Sequence, residues 1–161
     1  MVDAANIKQT RTVLELGPGT GAFTSMIHST MPAGSRYLGL DMNRTFIARL
    51  ARHYPTMKFE AACAQEFDYN SFLGEGEQFD AIISGLPWTA FPESLQIAIL
   101  DHVLPRLKPG GVLATFAYTG FHRLPSGQRF GELLRKRCTS LETTRTVWMN
   151  LPPAFVYAAV K

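Results

Sequence analysis

Residues Val13-Leu14-Glu15-Leu16-Gly17-Pro18-Gly19-Thr20-Gly21 put three glycines, spaced two apart, between an apolar strand and a helix-forming stretch. A backbone that turns sharply and lets a ligand approach its peptide groups needs residues without a Cβ, so this is where a small cofactor would lie. The dinucleotide-binding pattern is G-x-G-x-x-G; here the glycines read G-x-G-x-G, with Glu15 just upstream. Some 20 residues beyond the last glycine, Asp41 ends a second strand-like run, where a carboxylate can accept hydrogen bonds from both hydroxyls of a ribose. Taken singly, a glycine loop is only a turn and an acid after a strand only a solvated end or a helix cap. In this order they specify a cofactor crevice.

These residues require a scaffold, and the hydrophobic pattern supplies one. Strands are expected at Thr12–Leu16, Arg36–Leu40, Met57–Glu60, Phe79–Ser84 and Val112–Tyr118, because each is a short apolar run bounded by Gly, Pro or polar residues. Helices are expected between them, after Thr20, over Asn43–Arg52 and over Pro92–Leu107, where apolar residues recur at three- and four-residue intervals. Alternating strands and helices predict a doubly wound, mainly parallel sheet in a single α/β domain. The rhythm breaks after Gly120–Gly127. A helix is expected over Arg129–Cys138, followed by strands at Thr143–Asn150 and Ala154–Val160 joined only by Leu151-Pro152-Pro153. So short a connection forces the last two strands to pair antiparallel.

Composition narrows the setting. The chain has 161 residues, 46% of them apolar, enough for one domain with a real core. No apolar run approaches the ~20 residues that cross a bilayer, and the first residues lack a signal-peptide stretch, so a cytoplasmic protein is expected. Cys63 and Cys138 are far apart and show no metal-ligand spacing, which leaves a metal site or disulfide framework nothing to rest on. Residues 1–100 carry 7 basic and 10 acidic side chains, residues 101–161 carry 9 and 3, so the net charge of +3 belongs to the C-terminal part. A basic surface there fits an anionic partner, either phospholipid headgroups or nucleic acid, or simply keeps the chain soluble.

The glycine loop with its upstream acid resembles motif I of the class I S-adenosylmethionine-dependent methyltransferases. That resemblance implies a Rossmann-like, seven-stranded sheet whose last strand is antiparallel, and S-adenosylmethionine rather than a nicotinamide cofactor. Glu15, Gly17, Gly19, Thr20 and Gly21 would then hold the amino acid portion of the cofactor, Asp41 its ribose, and Met42 its adenine face. Many members carry Gly-Asp-Ala after the third strand, to bind the adenine amine; this chain has Ala62-Cys63-Ala64, which passes that contact to backbone groups or Gln65. Ser84 completes the cofactor set.

Ser84-Gly85-Leu86-Pro87-Trp88 occupies the place of motif IV. Relatives that methylate adenine read Asn/Asp-Pro-Pro-Tyr or Asn-Leu-Pro-Tyr there, the polar residue accepting from the target amine; Gly85 offers no such acceptor. Together with Leu107–Tyr118, Leu124–Phe130 and the closing Asn-Leu-Pro-Pro-Ala-Phe-Val-Tyr run, this motif resembles the bacterial phospholipid N-methyltransferases that carry phosphatidylethanolamine toward phosphatidylcholine. The resemblance runs from about Val13 to Lys161. It implies a substrate at a membrane surface, reached peripherally from the cytoplasmic side, with nucleic acid disfavoured as partner. Trp88, Tyr118, His122 and Tyr157 become the candidate catalytic residues, the last three also the nearest proton acceptors. Gly85, Leu86 and Pro87 would border the acceptor, and Arg123 and Arg129 would grip a lipid phosphate.

The basic, amphipathic Arg129–Arg137 could touch an anionic bilayer or simply pack on the sheet. Relatives also carry an N-terminal helical extension over the cofactor, whereas about eleven residues precede the first strand here. Two rival readings remain, an adenine N6-dimethyltransferase of ribosomal RNA and a non-catalytic cofactor-binding module.

Overall fold

A computed structural model describes all residues, 1–161. Seven strands form one sheet: β1 (Thr12–Leu16), β2 (Arg36–Asp41), β3 (Lys58–Ala61), β4 (Phe79–Ser84), β5 (Leu107–Tyr118), β6 (Ser140–Thr143) and β7 (Ala154–Val160). Their order is β3-β2-β1-β4-β5-β7-β6, with every pairing parallel except those of β7, which runs antiparallel to both neighbours. This is the expected Rossmann-like methyltransferase architecture. Strand order reverses between β1 and β4, so the crevice beyond their carboxyl ends is where this topology places a ligand.

Strand alternation sorts side chains onto two faces. Val13, Tyr37, Phe59, Ala81 and Ile83 pack with Ile27 of α1 (Ala22–Thr30) and with Ile47 and Leu50 of α2 (Arg44–His53). Val2, Ala5 and Ile7 of the N-terminal segment join this cluster. Leu14, Leu16, Leu38, Leu40, Ile82 and Leu113 face the other way, toward α3 (Glu93–Val103) and α4 (Pro125–Arg137). Asn43 caps α2 by accepting from the amides of Thr45 and Phe46, which sets the helix start one residue after the tip that carries Asp41 and Met42.

Three expectations need correction. The helix after Pro92 ends at Val103, and the Lys108–Gly111 turn is absorbed into β5 as an irregularity where pairing jumps from Leu107 to Val112. α4 starts four residues earlier than its periodicity suggests, because Pro125 at its first turn has no amide that the helix must satisfy. β6 ends at Thr143, so residues 144–153 form a long loop instead of a strand and a tight turn. Pro152 and Pro153 cannot donate to a ladder, and past Thr144, whose amide donates to Val156 O, an isolated bridge pairs Val147 with Ala154.

α4 takes the ordinary role of a sheet-packing helix. Phe130, Leu133 and Leu134 enter the core, and Arg137 donates to Asp101 of α3 at 2.8 Å.

Candidate functional site

Gly17, Gly19 and Gly21 form the turn after β1 with φ of 68°, 54° and 95°, backbone that side chains with a Cβ rarely adopt. The Gly17 amide donates to Leu40 O at 2.8 Å, which pins the loop beside the end of β2. Asp41 completes that link: one carboxylate oxygen accepts from the Gly19 amide at 3.0 Å, the other from the Asn43 amide at 2.8 Å. A carboxylate has about four acceptor positions, so each oxygen keeps one for a vicinal diol. Met42 beside it is largely solvent-exposed, a thioether at the rim. Ala62 donates to Asp41 O at 3.1 Å, which draws the turn carrying Gln65 to the same end of the crevice.

Glu15 and Ser84 sit differently from the rest of the set. Both are buried. Glu15 lies under the glycine loop, accepting from Thr24 of α1 at 2.8 Å and from the Tyr37 hydroxyl, while its other oxygen, Oε1, has no partner. Gly39, opposite Glu15 in the neighbouring strand, leaves the space that the Tyr37 ring fills. Burial pushes the Glu15 carboxyl up to about 7, against the pull of the Tyr37 and Thr24 hydrogen bonds. The orphaned oxygen fits an ammonium at the amino acid end of a cofactor. Ser84 spends its hydroxyl on the acceptor side, accepting from the Trp88 indole at 3.0 Å. It positions Trp88.

The four candidate catalytic residues converge. Trp88, Tyr118, His122 and Tyr157 line one cavity of about 140 Å³ together with Leu86, Pro87 and Phe130. Trp88 is stacked on Phe130, ring centroids 4.5 Å apart and 19° between planes. Gln96 of α3, buried within a helix the sequence shows only as apolar, fixes the Trp88 carbonyl with a 2.7 Å hydrogen bond. Gly127 of α4 was legible only as part of a Gly/Pro-rich loop, yet a Cβ there would sit 2.5 Å from Phe121 O and 2.7 Å from the His122 Cα. Its absence lets the His122 turn close the cavity.

Neither ring is a poised base. The Gly120 amide donates to His122 Nδ1 at 3.2 Å, which leaves the proton of the neutral ring on Nε2. Burial pushes the Tyr157 phenol up, so it too is a donor at neutral pH. Gly85 is a steric necessity as well as a missing acceptor: a Cβ would lie 2.6 Å from Gly17 O.

Of the two arginines expected at a phosphate, only Arg123 lies beside the cavity. A polar cleft of about 270 Å³ shares His122, Gly127 and Tyr157 with the aromatic cavity and is flanked by Arg123 and Arg135, with Glu132 also on its wall. Arg129 faces away and pairs with Glu93 at 3.6 Å. The helical spacing of Gln128, Gly131, Glu132 and Arg135 puts those residues on the cleft and Arg129 off it.

Comparison with known proteins agrees with the fold. Residues 13–111 match the family described as Methyltransferase domain. An ornithine lipid N-methyltransferase of Singulisphaera acidiphila is 29% identical over 91% of this chain and 74% of its own length. Ribosomal RNA small subunit methyltransferase A of Picosynechococcus sp. is 31% identical, but over 55% of this chain and 33% of its own, so the chain spans about a third of that relative. Among solved structures, the N-methyltransferase NodS of Bradyrhizobium japonicum WM9, also solved with S-adenosyl-L-homocysteine, superposes with a TM-score of 0.73 at 16% identity. That alignment covers 99% of this chain and 93% of NodS, and establishes the shared fold.

Proposed function

The chain belongs to the methyltransferase-domain family, with S-adenosylmethionine as the methyl donor, and we propose that it methylates the amine of a phospholipid headgroup, carrying phosphatidylethanolamine toward phosphatidylcholine. The observation that carries this reading is the aromatic cavity beside a Gly85 that has no room for a side-chain acceptor. Such a cavity suits an aliphatic amine that becomes a bulky cation, and poorly suits a flat amine needing a paired acceptor. The ornithine lipid N-methyltransferase also matches almost the whole chain, whereas the ribosomal RNA methyltransferase matches about half.

The bound cofactor supplies an electrophilic methyl group on a sulfonium. The chain's part is alignment and exclusion of water. Gly17, Gly19, Asp41 and Met42 hold the donor end, with Glu15 beneath them. Trp88 and Tyr118 wall the acceptor, and such faces stabilise a methylated ammonium by about 0.5–2 kcal/mol each. With His122 and Tyr157 both donors, Tyr118, on the cavity wall and partly exposed, is the remaining candidate to relay the amine's proton to water. Arg123 and Arg135 present charge-assisted donors to the phosphate in the adjoining cleft.

Incubation with methyl-labelled S-adenosylmethionine, separately with phosphatidylethanolamine vesicles and with ribosomal RNA, tests the reading. Label is expected in the lipid extract. Label in RNA alone establishes the adenine reading instead, and label in neither a binding module.

A further inference from the structure

The 144–153 loop lies outside the sheet, and the fold leaves its tip uncovered. At its tip, Trp148, Met149 and Leu151 are 74%, 97% and 99% exposed, a concentration of large apolar side chains that water disfavours. The loop is nonetheless held in place. Val147 and Ala154 exchange backbone hydrogen bonds across its base, and the Thr119 amide donates to Pro153 O at 2.8 Å, clipping it to the end of β5. The next turn along the chain adds Phe121 and Leu124, both about half exposed. That turn borders the aromatic cavity through His122, while Val147, Asn150, Leu151 and Pro152 of the 144–153 loop line an adjoining groove.

Charge selects the occupant. No Asp or Glu occurs between residues 109 and 131 or between 143 and 161, while Arg123 and Arg145 flank the exposed apolar residues. Cations around an apolar tip that carries an indole match the interfacial zone of an anionic bilayer, where indole favours the headgroup level and arginine the surface potential. Pro152 and Pro153 leave the tip fewer backbone donors to desolvate. Below the tip, a groove of about 470 Å³ lined by Phe116, Tyr118, Leu151, Pro152 and Phe155 shares Phe116 and Tyr118 with the acceptor cavity. A lipid leaving the bilayer through this groove would bring its amine to the methyl-transfer end without crossing water.

We infer that the 144–153 loop and the Phe121–Leu124 turn are the surface by which the domain docks on an anionic lipid bilayer, with Trp148, Met149 and Leu151 inserted at the interface. The inference rests on the lipid reading of the acceptor but concerns binding alone.

The test uses the full chain with vesicles of phosphatidylglycerol and phosphatidylcholine that contain no amine lipid. Wild type is expected to sediment with the vesicles, and its tryptophan emission to shift to the blue, because Trp148 is exposed and the other tryptophan, Trp88, already buried. The triple variant Trp148→Ser, Met149→Ser, Leu151→Ser is expected to bind the vesicles about 100-fold more weakly. Its thermal midpoint and its affinity for S-adenosylhomocysteine should stay as in wild type, since these side chains hold nothing in the fold. Equal vesicle binding by variant and wild type overturns the inference, as does a wild type that ignores vesicles or a variant whose loss is confined to ribosomal RNA. Methylation of soluble glycerophosphoethanolamine separates the two claims. If the variant retains it, docking is distinct from catalysis; if wild type binds vesicles yet methylates no amine lipid, the functional reading fails while docking stands.

Discussion

Burying a carboxyl group beneath a glycine loop raises the free energy of its charged form, and Glu15 shows this in its ionisation. Its folded pKa of about 7 lies above the ordinary 4.5, so the folded state holds a proton that the unfolded state has lost throughout that interval. The stability this proton contributes is fully present below pH 4.5 and is lost as pH rises through 7. The loss is on the order of 3 kcal/mol, from 1.36 kcal/mol per pKa unit. Glu15→Gln keeps the shape and removes the ionisation. In urea unfolding at pH 5 and pH 8, wild type should lose stability relative to the variant on going to the higher pH; parallel profiles would show that Glu15 is ionised in the folded protein. Subtracting the variant cancels groups such as Asp80, held low by its Lys108 ion pair and backbone amides, whose effect runs the other way.

At the level of elements, the glycine loop and the β4 end are one unit, because Gly85 N donates to Leu16 O at 2.7 Å while its α-carbon faces Gly17 O. Gly85→Ala must push the two loops apart. We expect a destabilisation of about 1–3 kcal/mol by calorimetry and weaker S-adenosylhomocysteine binding, since the displaced backbone belongs to the glycine loop that walls the proposed cofactor crevice. An alanine variant with unchanged affinity would separate the two loops functionally. The same unit explains what could be read from sequence. β1, β4 and β7 have the bounds that apolar runs and Gly/Pro stops predict, because those cues act locally. The 144–153 loop departs from the expected strand because Val147-Trp148-Met149 has strand-like residues but no layer to bury them, a fact about neighbours. Arg135 is not legible as a cleft residue for a related reason: which face of α4 meets the cavity depends on Gly127 approaching the His122 turn, a close contact that no spacing announces. Trp88, Tyr118, His122 and Tyr157 were legible by motif, but the hydrogen bond that makes His122 a donor was not.

Across the whole molecule, the reversal of strand order at β1 and β4 divides the site between a donor half and an acceptor half of opposite character. The first hundred residues carry the acidic excess and bring Glu15 and Asp41 to the proposed donor crevice; the remainder carries the basic excess and brings Arg123 and Arg135 to the cleft beside the aromatic cavity. A zwitterionic lipid fits that division, its amine in the aromatic cavity and its phosphate in the cleft that shares His122, Gly127 and Tyr157 with it. Both arginines are remote from the glycine loop in the sheet, so removing them should leave the donor half intact. Arg123→Ala with Arg135→Ala is therefore expected to raise the KM for dispersed phosphatidylethanolamine about tenfold or more, since each charge-assisted hydrogen bond contributes about 1.5–3 kcal/mol less what solvent screening removes. The affinity for S-adenosylhomocysteine should not move. Glu93→Gln, which frees Arg129, is the control that should leave KM unchanged. If releasing Arg129 lowers KM while the double variant behaves as wild type, the phosphate sits on the α3 side of α4, and the cleft is not its site.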